Sequence, residues 1–210
     1  MKICECPLAE ALPVVPNVDC PENFGQIAKI AFQRVYSDGT TKNSFTTEAS
    51  IEKLASWQTL ISAIDGTKVS ISPIVEAPTQ DGGDPITFGG GNETVGGMER
   101  IIGSNPTTMT VVIRECPQNV IAELKKMQCE KQLGVYLINE AGQIEALVDK
   151  EAQTTYYPIP IYNFYVGDKI HGGFDTPDSN TITFSLPANY SDQLRIITPE
   201  FNAMTDLLEA

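Results

Sequence analysis

The sequence predicts a mainly β protein with some helix: an antiparallel β-sandwich or barrel-like core with one or two packed helices, a long Gly-rich loop and an extended N-terminal arm. Three observations lead there. Residues 181–186, Thr-Ile-Thr-Phe-Ser-Leu, alternate strictly between hydroxyl and apolar side chains, the period-two pattern of a half-buried strand. Other short runs rich in β-branched and aromatic residues recur between turn residues. The chain has 210 residues, 41% of them apolar and 20% charged, which suffices for one sizeable core. The expected organisation is an arm over residues 1–25 and a single β-rich domain over 26–210.

In the arm, Pro7, Pro13, Pro16 and Pro21 remove amide donors and favour an extended path. Its Leu8, Leu12, Val14, Val15 and Val18 are too apolar for a purely solvated linker, so the arm is expected to lie on its own domain or to reach a neighbouring subunit. Residues 26–36 fit both a helical and a strand period, and the following Asp38-Gly39 favours a strand that enters a hairpin. From Glu48 to Ile64 the spacing of Leu54, Trp57, Ile61 and Ile64 predicts a helix with Thr47 as its N-cap and Trp57 as a core anchor. Lys68 to Val75 reads as an edge strand that Pro73 ends, and Thr107 to Ile113 as another strand.

Between those two strands, residues 76–103 hold eight of the sixteen glycines together with Glu76, Asp81, Asp84, Glu93 and Glu99. The composition predicts a long flexible excursion that orders against a partner, with Ile86, Phe88, Val95 and Met98 giving the partner apolar side chains to hold. Further along, Pro117 suits the first position of a helix whose face is Val120, Ile121, Leu124 and Met127, with Lys125, Lys126 and Lys131 towards its C-terminal half. Residues 133–138 and 143–148 flank a turn at 139–142 as a β-hairpin. Residues 159–170 read as an aromatic strand with Tyr162, Phe164 and Val166 on one face, partnered by 181–186. A last strand falls within 191–198, and Phe201, Met204, Leu207 and Leu208 form a short amphipathic tail suited to docking.

Charge and motifs narrow the function. Fourteen Lys and Arg against 27 Asp and Glu leave a net charge of −13, which repels nucleic-acid phosphates and anionic lipid surfaces. No segment has the apolar length of a signal peptide or a membrane span, so a soluble cytoplasmic product is expected. Cys4, Cys6, Cys20, Cys116 and Cys129 are odd in number and lack the spacing of a disulfide scaffold or a zinc site. Cys116 opens the second helix, but no histidine lies near it in sequence to act as a base. Gly89-Gly90-Gly91 has neither the spacing nor the lysine of a phosphate loop, and Asp81-Gly82-Gly83-Asp84 lacks the ligand pattern of a calcium loop. The single histidine, His171, sits in a Gly-rich connection with no neighbouring nucleophile. Neither a catalytic constellation nor a cofactor or metal site is expected.

The order of elements resembles that of tail-tube or tail-ring proteins of phages that infect gut Bacteroidetes. The resemblance rests on CPENFGQIAKIAFQR at 20–34, SPIVEAPTQDGGDPITFGGGNETVGG at 72–97 and NTITFSLPANYSDQLRII at 180–197. It implies a virion structural protein, made in the host bacterial cytoplasm, that self-associates into rings or stacked rings, hexameric if a tail tube. The implied partners are copies of itself and other virion tail proteins, with DNA passing unbound and no membrane. A negative inner surface then lets DNA pass without adhering. The candidate assembly contacts are Leu12, Val14 and Val15 in the arm, Ile86, Phe88, Val95 and Met98 in the loop, and Phe201 and Leu207 in the tail. The two helices and the cysteine-bearing arm exceed what a minimal tail-tube domain needs. The alternative is a carbohydrate-binding or adhesion module, suggested by β content, Trp57 and the Tyr156-Tyr157 pair; a hydrolase ranks below it.

Overall fold

The computed structural model describes residues 14–18, 20 and 22–208, so Leu12, Cys4 and Cys6 lie outside the described residues. In chain order the elements are β1 (Ile27–Arg34), α1 (Glu48–Glu52), α2 (Leu54–Ile61), β2 (Val69–Ile71), β3 (Glu76–Gly82), β4 (Pro85–Gly89), β5 (Glu99–Ser104) and β6 (Thr107–Arg114). They continue with α3 (Gln118–Lys126), β7 (Leu133–Asn139), β8 (Ile144–Val148), β9 (Tyr156–Tyr157), β10 (Ile159–Pro160), β11 (Tyr162–Val166), β12 (Ser179–Leu186), β13 (Leu194–Ile197) and α4 (Ala203–Asp206). The fold is mixed, with antiparallel sheet predominant. One sheet runs β13-β8-β7-β1-β2, with β10 also on β7 and β9 on β8; a second runs β11-β12-β6-β3.

The central strands β1 and β7 are buried along nearly their whole length because both faces of their sheet are covered. Ile30 and Phe32 of β1, with Leu133, Val135 and Leu137 of β7, meet Met109, Val111, Ile113, Ile182, Phe184 and Leu186 of the second sheet in one core. Helix α3 adds Ile121 and Leu124 to that core. On the opposite face, Ala31 of β1 and Tyr136 and Ile138 of β7 pack with Ile51, Trp57 and Ile61 of the first two helices and with Ala203 and Leu207 of the tail. Alternate residues of the same two strands therefore serve two cores. Two buried polar side chains on this second face are linked to each other and to a loop: Gln33 Nε2 donates to the Thr67 carbonyl at 2.7 Å, and Tyr136 OH donates to Gln33 Oε1 at 3.1 Å.

The predicted helix over 48–64 is two helices broken at Lys53, whose backbone is extended (φ −95°, ψ 128°). In one continuous helix Ile51 and Trp57 would point about 120° apart, and the break turns both into the core. It also frees the Ile51 carbonyl, which accepts the Trp57 indole N–H at 2.8 Å. Thr47 is the N-cap of α1, as expected, and Ser50 at the third helical position reaches back, its Oγ accepting the Thr47 amide at 3.3 Å. Ile64, expected on the apolar stripe, is fully exposed, since the helix ends at Ile61.

The expected strand over 159–170 is likewise divided. β10 pairs with β7 in the first sheet and β11 with β12 in the second, so Ile161 marks a crossing between sheets. Asn163 sits at φ +53°, which turns Tyr162 to the surface while Phe164 and Val166 stay inside. Pro117 is the N-cap of α3 rather than its first residue. β2 lies at the edge of its sheet and ends before Pro73, and the expected hairpin over 133–138 and 143–148 and the expected pairing of the aromatic strand with 181–186 are present as β7–β8 and β11–β12.

Candidate functional site

The expected flexible loop is a β-ribbon. Residues 76–82 pair with β6, and beyond Gly82↔Thr107 the ladder resumes as β4 with β5, from Pro85↔Ser104 to Gly89↔Glu99. Asn105 N donates to the Asp84 carbonyl at 2.9 Å across the join. Gly82, at φ +111°, makes the bend, and a Cβ there would lie 2.6 Å from the Pro106 carbonyl oxygen. The glycines at the tip thus encode a defined turn, because L side chains are strained at such φ. Gly89 holds φ +96° against Thr94, whose hydroxyl accepts the Gly90 amide at 3.1 Å and donates to the Met98 carbonyl at 2.7 Å.

The ribbon stands away from both cores. Phe88, Ile101 and Ile102 are more than half exposed, Val95 and Met98 more so, and Ile86 is 39% exposed. None of these side chains belongs to either core cluster. A two-stranded ribbon without a covered face is marginal in water, and each large apolar side chain left exposed forgoes about 1.5 to 3 kcal/mol of burial. In the arm, Val14, Val15 and Val18 are 81–92% exposed and so do not lie on their own domain. The tail does. Leu207 is completely buried and Phe201 packs half-buried against the second core, so Leu207 has no surface left to offer a neighbour. Asn202 caps α4 by accepting the Met204 amide at 2.9 Å, and Lys29 Nζ donates to the Leu207 carbonyl at 3.3 Å.

The other sequence-selected side chains are dispersed. Cys116 is buried, and burial pushes its thiol pKa up, while Cys20 and Cys129 are exposed and free. His171 is exposed on its turn with Nδ1 3.3 Å from Asp178 Oδ2. Among the described residues no group of three His, Cys, Asp or Glu is placed to hold a metal ion. Trp57 and Tyr156 are fully buried, and Tyr157 lies under Lys42, with Nζ 5.3 Å from its ring centre. Among the described residues none makes a well-formed hydrogen bond to the buried Tyr156 hydroxyl, which lies near Glu48.

One group escaped sequence reasoning because its environment comes from distant segments. Glu145 of β8 faces a cleft of about 380 Å³ lined by Asn23, Phe24, Pro78, Gln80 and Tyr190. Burial, reinforced by the nearby Glu22, raises its pKa to about 7. Native Glu145 therefore holds its proton where the unfolded chain, with an ordinary carboxyl, releases it. Its contribution to stability is complete below about pH 4.5 and is lost as pH rises through 7. Glu145→Gln should remove that decline and, because the site is partly solvated, raise stability at pH 8 by about 1 to 2 kcal/mol. Thermal melts of both proteins at pH 5 and pH 8 check this, and an equal response to pH in the two rejects it.

Comparison of the chain with family models, curated proteins and solved structures gives no match.

Proposed function

We propose that this chain is a virion structural subunit that self-assembles into a ring or tube of a phage tail, through which DNA passes unbound. In this reading the two facing sheets are the β-sandwich of the subunit and the ribbon of β4 and β5 is its reach to the next copy. One observation carries the proposal: a preformed hairpin whose apolar side chains find no cover in their own subunit. The exposed valines of the arm act in the same sense. A net charge of −13 suits a protein that sits beside DNA without holding it.

The test is to replace residues 85–104 by an Asn-Gly turn, which the existing Asp84–Asn105 hydrogen bond is placed to close. Negative-stain microscopy and sedimentation velocity should show rings, tubes or defined oligomers for the full chain and monomers for the shortened one. The melting temperature should change by less than about 3 °C, because the ribbon touches neither core. A full chain that stays monomeric at millimolar concentration overturns the proposal.

A further inference from the structure

We propose that the carboxyl group of Glu145 is a proton latch for the N-terminal arm: when neutral it holds residues 22–25 down on the cleft, and when ionised it releases them to swing about Gly25. The inference is independent of the assembly reading above. Alternation along β8 places the group. Ile144, Ala146 and Val148 enter the core beneath the helices, so Glu145 and Leu147 point to the other face, where Leu147 packs against the core between the sheets. Directly opposite Glu145 stand Leu137 of β7 and Ile196 of β13. Such surroundings favour the protonated form of a carboxyl group.

The root of the arm completes the cleft. Asn23, Phe24 and Gly25 line it together with Gln80 of β3 and Tyr190. Phe24 is half-buried against the core, and its carbonyl accepts from Asn139 Nδ2 at 2.5 Å. Beyond that point the backbone is fixed, since the Gln26 carbonyl accepts the Glu140 amide at 3.1 Å and β1 begins at Ile27. Gly25 lies between the two attachments at φ +74°, with open space where a Cβ would stand, which suits a hinge. One hydrogen bond and the Phe24 ring are therefore what must let go for the arm to lift.

The charges near Glu145 act against its ionised form. Burial and the like charge of Glu22, next to Asn23 on the arm, raise its pKa to about 7. Among the described residues no base offsets them. Arg195 of β13 stands opposite Ala146, on the other face, and donates to Gln153 Oε1 at 3.0 Å, while Lys29 of β1 donates to the Leu207 carbonyl. Tyr190 OH is turned to Gln80 Oε1 at 3.4 Å, and Asp81 and Asp192 lie outside the cleft lining. With the arm lifted, the cleft opens to water, Glu22 moves away, and the carboxyl returns towards its ordinary value of 4.5. Docking is thus strongest below pH 4.5, weakens by up to about tenfold for each unit of rising pH, and levels off above 7. The reach of the arm, with its exposed Val14, Val15 and Val18, becomes a function of pH.

Spin labels on the full chain test the latch. A nitroxide is attached at Cys20, which is exposed and free, and in a second version through Asn23→Cys with Cys20→Ser; Cys4, Cys6 and Cys129 are changed to Ser and buried Cys116 is kept. Between pH 5 and pH 8 the ratio of mobile to immobile label should rise by at least about tenfold. Glu145→Gln should hold that ratio at its pH 5 value throughout, because the amide stays neutral. Glu22→Gln should shrink the rise and keep its direction, and it carries the test if thermal melts show that Glu145→Gln does not fold. The inference is overturned if neither label changes mobility between pH 5 and pH 8. An equal rise in Glu145→Gln, or a full rise in Glu22→Gln, overturns it as well.

Discussion

Trp57→Ala is expected to cost about 3 to 5 kcal/mol of folding stability, a large share of what a domain of this kind possesses. Trp57 is wholly buried between α2 and the first sheet. Its ring lies 4.9 Å from Phe45 and 5.1 Å, edge to face, from Tyr136, and Phe45 and Tyr136 themselves meet at 5.9 Å. Removing the indole leaves a cavity that two rigid rings fill poorly. It also strands the Ile51 carbonyl freed by the helix break at Lys53. Urea denaturation should show the midpoint falling, with helical and near-ultraviolet signals lost together. A variant that unfolds within 1 kcal/mol of the unaltered chain refutes the anchoring role.

Phe184→Ala should cost a similar amount, about 3 to 5 kcal/mol, through the other core. Phe184 is fully buried on β12, opposite Met109 of β6, among the side chains that face β1 and β7. Trp57 and Phe184 lie on opposite sides of the first sheet, in separate clusters. Their losses should therefore add to within about 0.5 kcal/mol. Each variant should nevertheless unfold in a single transition, because β1 and β7 supply alternate residues to both cores and neither core survives without them. Calorimetry of the two single variants resolves this: two separate heat peaks in either one contradict the shared-strand account. The double variant is expected to be largely unfolded, so additivity is best read with Ile in place of Phe184 and Phe in place of Trp57.

What the sequence revealed follows from how many faces of an element are covered. β12 and β6 were readable because one face is dry and the other wet, which writes Ile182, Phe184 and Leu186 against Thr181, Thr183 and Ser185. β1 was ambiguous because both faces are dry, so its apolar residues run continuously and fit either period. Lys53, which breaks the first helix, and Asn163, which sits in an irregular stretch of β11, are neither proline nor glycine, so no local pattern records either departure. The hairpin was misread from its glycines, whose abundance describes a flexible loop and a tight tip equally well. A signal was nonetheless present: Pro85-Ile86-Thr87-Phe88 and Arg100-Ile101-Ile102 flank the glycines as two short strands, bracketed by Asp84-Pro85 and Asn105-Pro106. Of the candidate contacts, the ribbon and arm residues could be chosen by being apolar in polar surroundings. Leu207 met the same criterion yet is buried, because a terminal segment gives no local hint of whether it folds back. The Glu145 cleft had no sequence signature, being assembled from segments scattered over most of the chain.

The pairing of β1 with β7 also sets a timetable for the chain. Ile30 finds its partner at Leu137, more than a hundred residues later, whereas the β4–β5 ribbon pairs segments less than twenty residues apart. At translation rates of roughly 5 to 20 residues per second, the first strand waits on the order of 5 to 20 s for its neighbour to be made. Through that interval neither core can close, since both depend on β7. Loop-closure entropy makes such distant pairings slow and local ones fast. The ribbon is thus the part of the molecule least dependent on the remainder, and the order of synthesis delivers it before the strand that lets either core close.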